Sequence, residues 1–307
     1  MDVKSKLMQK NGYMATIMAV DFLSKEEGDR INTVAQLSED YGTGRGTVQN
    51  AIKLLQEYGA VSLEARGHLG TFISTIDYKK LMEIADIKTL LGVMPLPYSK
   101  AYEGLATGIY NTLNTSGVSA GLAFMRGAAK RVEALLEERY DFAVISKLAA
   151  EYYINKEAEI EILCEFGDRT YVSEHIVMFS GPKMEITDGM RVGIDYSSID
   201  QASLTEYLTL NKKVELVPLI YSQIFDAMEK GRIDAAVWNK DDLIEKSSSL
   251  TFKNINSEAF HWKDTNAVVV VRKESCSLNQ LLRRFLAREE VLRLQAMVVK
   301  GEIIPNY

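Results

Sequence analysis

The stretch 31–73, INTVAQLSEDYGTGRGTVQNAIKLLQEYGAVSLEARGHLGTFI, constrains this chain more than any other. Two short helical patterns and two short strands follow one another there, with glycine turns between them. Residues 33–41 set Val34, Ala35, Leu37 and Tyr41 at helical spacing behind Thr33, whose hydroxyl suits a helix N-cap. Gly42 then closes the helix, because glycine enters the left-handed conformation cheaply. A second helix follows Thr43 and Gly44. Val48, Ala51, Ile52 and Leu55 line its inner side, while Arg45, Thr47, Gln49, Asn50 and Lys53 point elsewhere. Two short helices joined by a tight turn predict a helix-turn-helix. Residues 60–63 and 71–74 read as strands around a loop of Arg66, Gly67, His68, Leu69 and Gly70, which adds a wing.

Residues 42–52, GTGRGTVQNAI, resemble the recognition helix of GntR-type bacterial transcriptional regulators, and Gly70-Thr71-Phe72-Ile73 resembles their wing motif. The whole chain further resembles the YhfZ-type regulators, which join such a head to a domain like the periplasmic binding proteins. The resemblance implies a DNA-binding head in which Thr43, Arg45, Thr47, Gln49, Asn50, Lys53, Arg66 and His68 meet the duplex. Gln49 and Asn50 are expected at base edges, Thr47 and Lys53 at phosphates, and the wing loop at the minor groove. One departure matters: GntR heads often carry a second Arg and a Glu after the Thr-Val pair, where this chain has Gln49 and Asn50. A DNA sequence other than the common GntR operator is expected. The alternative is a winged helix used only for protein contacts.

At 307 residues the chain is long enough for two or three domains, and its 47% hydrophobic and 25% charged residues are those of a globular protein. The net charge of −6 argues against a protein coated with nucleic acid. Even residues 1–76 hold eight Lys/Arg against nine Asp/Glu. DNA affinity must therefore come from a few placed cations and helix ends, and it is expected to be salt-sensitive. Cys164 and Cys276 make neither a disulfide framework nor a metal-spaced cluster, and are expected as buried or half-buried reduced thiols. The first 25 residues lack the pattern of a signal peptide, and no segment approaches the ~18 apolar residues of a membrane helix. A cytoplasmic location with no membrane contact is the expectation.

Before the helix-turn-helix, residues 4–23 predict a helix with Leu7, Met8, Tyr13, Ile17, Met18 and Phe22 inward, and 24–30 a charged loop. After the wing, residues 77–88 predict a linker helix with Leu81, Ile84 and Ile87 on one stripe, flanked by Met82 and Ala85. Packing on its own chain and a dimer seam both fit that stripe. From residue 89 strands and helices alternate: strands at 90–94, 118–125, 141–146, 159–166, 174–180, 190–195, 214–218, 233–238 and 267–272, and helices at 98–114, 127–139, 201–208 (after a loop at 196–200), 224–230, 278–286 and 291–300. The short apolar strands fit parallel strands buried on both faces. Arg139-Tyr140-Asp141-Phe142-Ala143-Val144 parallels Arg232-Ile233-Asp234-Ala235-Ala236-Val237, a weak internal repeat that fits two lobes on one plan. The order resembles type II periplasmic-binding-protein folds. The predicted fold class is an α+β winged helix-turn-helix head, then an α/β two-lobed domain at 89–307. Lobe one takes 89–182 with 263–307, and lobe two takes 183–262.

In open α/β sheets ligands sit outside the carboxyl ends of strands, near helix starts. That rule selects Pro97, Tyr98, Ser99, Arg126 and Ser146 from lobe one, and Ser197, Ser198, Asp200, Tyr221, Ser222 and Asn239 from lobe two. Ser99, Ser198 and Ser222 also fit plain N-caps, and Arg126 fits a surface ion pair. Together they predict a pocket for a small anionic or zwitterionic metabolite, with Arg126 as its cation. Catalytic and metal motifs are absent from the sequence: no Gly-x-Ser-x-Gly elbow, no phosphate-binding glycine loop, and no metal spacing among His68, His175 and His261. Cys164 and His175 fall on predicted strands and read as structural. The expectation is a dimeric, ligand-responsive regulator of double-stranded DNA, without cofactor or enzymatic activity. Two alternatives remain: an enzyme or sensor with a vestigial head, and a DNA-bound protein that no longer takes a ligand.

Overall fold

The computed structural model describes residues 9–242 and 250–307. The chain forms two compact units. The first gathers Met1–Leu90, Leu113–Ala120 and Ser275–Phe285; the second gathers Leu91–Thr112, Gly121–Glu274 and Leu286–Tyr307.

In the first unit, helix α1 (Lys10–Phe22) buries Met14, Ala15, Met18, Ala19 and Phe22. Of the residues expected inward, Met18 and Phe22 are buried, Tyr13 and Ile17 are half-buried, and Leu7 and Met8 lie outside the described residues. Strand β1 (Arg30–Ile31) leads to α2 (Val34–Asp40), which Thr33 opens with a capping box: Gln36 N–H donates to the Thr33 hydroxyl, and Thr33 N–H to the Gln36 side chain. Gly42 takes φ +57°, as the turn requires. Helix α3 (Arg45–Glu57) then turns Val48, Ala51 and Leu55 inward. The wing consists of β2 (Val61–Ala65) and β3 (Thr71–Ile76), and β1 joins them in a sheet of order β1-β3-β2. The charged loop expected at 24–30 thus ends in a strand. That strand pairs Arg30 with Phe72, a partner too distant in sequence to leave a local signal.

Asp77 caps α4 (Tyr78–Ile84), the linker helix, which packs on α1. Leu81, Met82 and Ala85 are its buried residues, whereas Ile84 and Ile87 are only half-buried, so the residues read as flank form the core side. The helix packs on its own chain, the first of the two expectations.

The second unit holds two sheets. One contains β4 (Leu90–Met94), β5 (Ala120–Phe124), β6 (Phe142–Ser146), β7 (Ile160–Gly167) and β13 (Ala267–Arg272); the other contains β8 (His175–Phe179), β9 (Arg191–Ile194), β10 (Glu215–Pro218), β11 (Ala235–Asn239) and β12 (Thr251–Asn254). Their orders are β5-β4-β6-β13-β7 and β10-β9-β11-β8-β12. These are one plan used twice. In each, a central strand lies parallel to one neighbour and antiparallel to the strand that arrives from the other half. The internal repeat has a physical cause. Asp141 accepts the Leu91 N–H at 2.8 Å, and Asp234 accepts the Arg191 N–H at 2.8 Å, so each aspartate fastens the first turn of its central strand to its parallel neighbour.

Two boundaries differ from the sequence reading. Strand β8 lies in the second sheet, so lobe two takes in 175–179, although the sequence pattern assigns residues up to 182 to lobe one. Buried on every residue, β8 fills the sheet between β11 and β12. Helix α10 (Cys276–Phe285) belongs to the first unit, although the sequence pattern assigns 263–307 to lobe one. Arg284 donates to the Lys25 carbonyl at 2.6 Å and to the Tyr78 hydroxyl, and the Phe285 ring meets that of Tyr78 edge-on at 5.1 Å.

The remaining helices of the second unit are α5 (Lys100–Thr115), α6 (Ala128–Leu136), α7 (Lys147–Asn155), α8 (Ile199–Thr209), α9 (Ile224–Glu229) and α11 (Arg288–Lys300), with Leu113–Thr115 of α5 in the first unit. Helix α7 and strand β12 are not foreseen from the sequence. Cys164 is half-buried, but Cys276, at the exposed start of α10, is not the buried thiol expected. Among the described residues no helix is long and apolar enough to cross a membrane.

Candidate functional site

The head presents one polar helix face. Arg45, Gln49, Asn50 and Lys53 are all exposed on α3, opposite the buried Val48, Ala51 and Leu55. Thr47 is half-buried beside them, and Thr43 closes the preceding turn, its carbonyl accepting from the Ser38 hydroxyl. Arg45 has no ion-pair partner among the described residues, whereas Lys53 lies 3.4 Å from Glu57. Arg45 stands in the first turn, where helix dipole and guanidinium add to one positive end. The wing loop exposes Arg66 and His68, but Arg66 donates through Nε and Nη2 to the same Glu64 oxygen, at 2.9 and 2.7 Å, and rests over the Phe72 ring. All eight residues expected at DNA therefore lie in the turn, the helix α3 or the wing, and their accessible donors concentrate on α3.

The second site is a cavity of about 120 Å³ between the two lobes. Seven predicted residues line it: Tyr98, Arg126, Ser197, Ser198, Asp200, Tyr221 and Asn239. Four do not. Pro97 is left out: it stands at the centre of a tight turn in which the Tyr98 N–H donates to the Leu96 carbonyl at 2.8 Å, and Pro95, Leu96 and Tyr98 line the cavity instead. Ser99 turns its hydroxyl to the Tyr102 N–H and is spent opening α5. Ser146 caps α7 at the Ala149 N–H and donates to Asp200, fully buried. Ser222 lines an adjoining chamber of about 480 Å³, reached past Tyr98, Arg126, Tyr221, Trp238 and Asp242.

Residues that the sequence pattern does not single out make up much of the wall: Tyr102, Arg131, Tyr171, His175, Asp195, Trp238 and Asp242. Arg131 is a buried cation whose donors all end on neutral oxygens, those of Val144 at 3.1 Å, Met125 at 2.7 Å and the Tyr171 hydroxyl at 2.9 Å. Asp195 accepts from Ser197 and from the Tyr221 N–H, and so fixes the lobe-two loops. His175 holds Asp264 at 2.9 Å through Nδ1, and both are buried. The Tyr221 and Trp238 rings stack at 3.9 Å. The buried Trp238 indole N–H has no hydrogen-bond partner among the described residues.

The lobes touch directly. Ser146 of β6 donates to Asp200 of α8 at 2.5 Å, Ile199 packs into the apolar core of lobe one, and Gly127 lies so close to the Ser197 carbonyl that a Cβ there would approach it to 3.0 Å. Burial pushes the Asp200 carboxyl up to about 6, against the opposing pull of His175, the Ser146 hydrogen bond and Arg131. Burial also raises Asp242 to about 6, with Arg126 pulling the other way. The phenols of Tyr102, Tyr171 and Tyr221 are raised by burial as well. Arg126, exposed and 5.5 Å from the Tyr98 ring centre, has no ion-pair partner within reach among the described residues. The cavity thus offers an open guanidinium beside the start of α6, faced by the carboxylates Asp200 and Asp242. No group of His, Cys, Asp and Glu among the described residues is arranged to hold a metal ion.

Comparison with known proteins matches two successive parts of the chain to two families. The family described as YhfZ C-terminal domain matches residues 77–307, and the one described as helix-turn-helix domain matches residues 26–73. The chain is 34% identical over 310 residues to the YhfZ protein of Escherichia coli (strain K12), covering 99% of this chain and 100% of that one. It is similar to the crystal structure of YhfZ from Shigella flexneri, with 35% identity and a TM-score of 0.64 over 75% of this chain and 97% of the other. An ancestral arginine-binding protein bound to arginine matches at 14% identity and a TM-score of 0.52, over 69% and 97% of the two chains; that likeness concerns the fold alone.

Proposed function

The chain belongs to the YhfZ family, and on that premise we propose that it is a ligand-responsive transcriptional regulator that binds operator DNA as a dimer. The observation that carries this reading is the exposed face of α3, where Arg45, Gln49, Asn50 and Lys53 stand free of the core on a winged helix. Guanidinium and amide side chains there match purine edges in the major groove, and Thr47 and Lys53 match phosphates. Two-fold pairing follows from the paired half-sites that such heads use.

The effector in this reading is a small anionic or zwitterionic metabolite held between the lobes. Arg126 and the start of α6 receive its anionic group, and Asp200 and Asp242 face any ammonium it carries. A ligand changes DNA affinity only by binding two states of the dimer unequally, and the lobe contacts through Ile199, Ser146 and Asp200 are where such states would differ.

The test is binding of the full chain to DNA upstream of its own gene at fixed salt. Sequence-specific binding that Arg45→Ala with Gln49→Ala weakens at least tenfold is the expected result; specific binding that both changes leave undiminished contradicts the assignment of α3. One observation favours a second reading, an enzyme on the same fold: the His175–Asp264 pair has the make-up of an oriented general base. Turnover of a cleft-bound metabolite, lost in His175→Ala and retained without the head, would establish it.

A further inference from the structure

We propose that the wing meets duplex DNA through Arg30, laid across Gly70, and not through Arg66; this rests on the DNA-binding reading of the head. Register places Arg30, Phe72 and Glu64 in one row across β1, β3 and β2, so their side chains share a face of the wing. Arg66 reaches into the same row, over the Phe72 ring and onto Glu64. The row therefore carries two guanidinium groups and one carboxylate, and the carboxylate is already taken. A phosphate that approached Arg66 would meet the Glu64 charge beside it, so the Arg66–Glu64 pair adds almost nothing to the attraction.

Arg30 differs on each count. It is exposed, and it has no carboxylate within ion-pair distance among the described residues. Its guanidinium is also placed by the wing itself: a Cβ built on Gly70 would stand 2.6 Å from Arg30 Nε. Gly70, at φ +102°, thus serves both the turn and the passage of this side chain. A cation lying close over the wing glycine, with its donors open, is what a phosphate or a narrow minor groove takes up.

The experiment measures affinity of the full-length protein for a labelled random-sequence duplex over a salt series, for the wild type, Arg30→Ala, Arg30→Lys and the double variant Glu64→Gln/Arg66→Gln. The double variant removes both charges of the pair together and leaves the net charge unchanged. Arg30→Ala is expected to weaken binding several-fold and to lower the slope of log K against log salt by about one per head. Arg30→Lys should keep the slope, and the double variant should match the wild type. An unchanged slope in Arg30→Ala, or a fall in the double variant as large as in Arg30→Ala, overturns the proposal while leaving the DNA-binding head in place. A wild type that shows no salt-dependent binding overturns the head reading and the proposal with it.

Discussion

The head and the cleft use polar side chains in opposite ways. On α3 the candidate residues are exposed, and Arg45 is without an ion-pair partner among the described residues. In the cleft, Arg131, Asp195, His175 and Asp200 are buried and hydrogen-bonded to neighbouring strands, loops and side chains. A surface that reads a duplex must leave its donors free, since the partner supplies the acceptors. A cavity for a small molecule must build its walls from groups already satisfied, because a buried polar group without a partner costs stability. Removing a head residue should therefore cost binding and little stability, whereas truncating a wall residue so that its buried hydrogen-bond partners are stripped should cost stability first.

The largest expected effect tests the wall. Arg131→Ala strips the Val144 and Met125 carbonyls and the Tyr171 hydroxyl of a charged donor. It should destabilise the two-lobed unit by about 3 kcal/mol in denaturant unfolding. A change below about 0.5 kcal/mol would break the comparison at its root.

Next comes the buried carboxyl. Asp200 sits at about 6, above its unfolded value, so the folded chain holds a proton there that the unfolded chain has lost. Its contribution is fully present below about pH 4 and is lost as the pH rises through 6. Asp200→Asn, which can still accept from Ser146, should therefore be more stable than the wild type at pH 7 by about 3 kcal/mol. The gap should close towards pH 4. A variant less stable at pH 7 would mean that the charge is held by more than Ser146 and His175.

On the head, Arg45→Ala with Gln49→Ala should reduce specific DNA affinity at least tenfold, by about 1–3 kcal/mol for each base-edge hydrogen-bonding pair removed. Thermal unfolding should stay within about 0.5 kcal/mol of the wild type. Equal falls in binding and stability would show that these residues support the fold instead. The smallest effect is expected from Thr33→Ala, which removes the capping box of α2 and should cost about 1 kcal/mol in the stability of the head alone.

The same contrast explains what is legible in the sequence. The head is built from neighbours along the chain: Thr33 caps its own helix, Gly42 makes its own turn, and the spacing of Val48, Ala51 and Leu55 marks the inner face directly. Where the head draws on a distant partner, as β1 does on Phe72 or α10 on Tyr78, local pattern does not show it. The two lobes are legible because each repeats one plan, down to the paired Asp141 and Asp234. The cleft is half legible. Strand-end residues such as Arg126, Asp200 and Asn239 obey the rule for open sheets. Tyr171 and His175 come from the passage between lobes, which that rule does not cover, and Arg131 sits a turn inside its helix. Ser99 and Ser146 satisfy the pattern by composition, yet their hydroxyls are spent on helix starts.

On the proposed reading, a molecule in the cleft changes what the head does to DNA. The most direct test titrates the full-length protein against DNA upstream of its own gene at one salt concentration, with and without a metabolite extract, for the wild type and for Arg126→Ala. The account predicts specific binding that the extract shifts in the wild type and leaves unshifted in Arg126→Ala, with the affinity of the two proteins alike in its absence. Specific binding that ignores the extract in both would contradict it and leave the two lobes as a body for assembly.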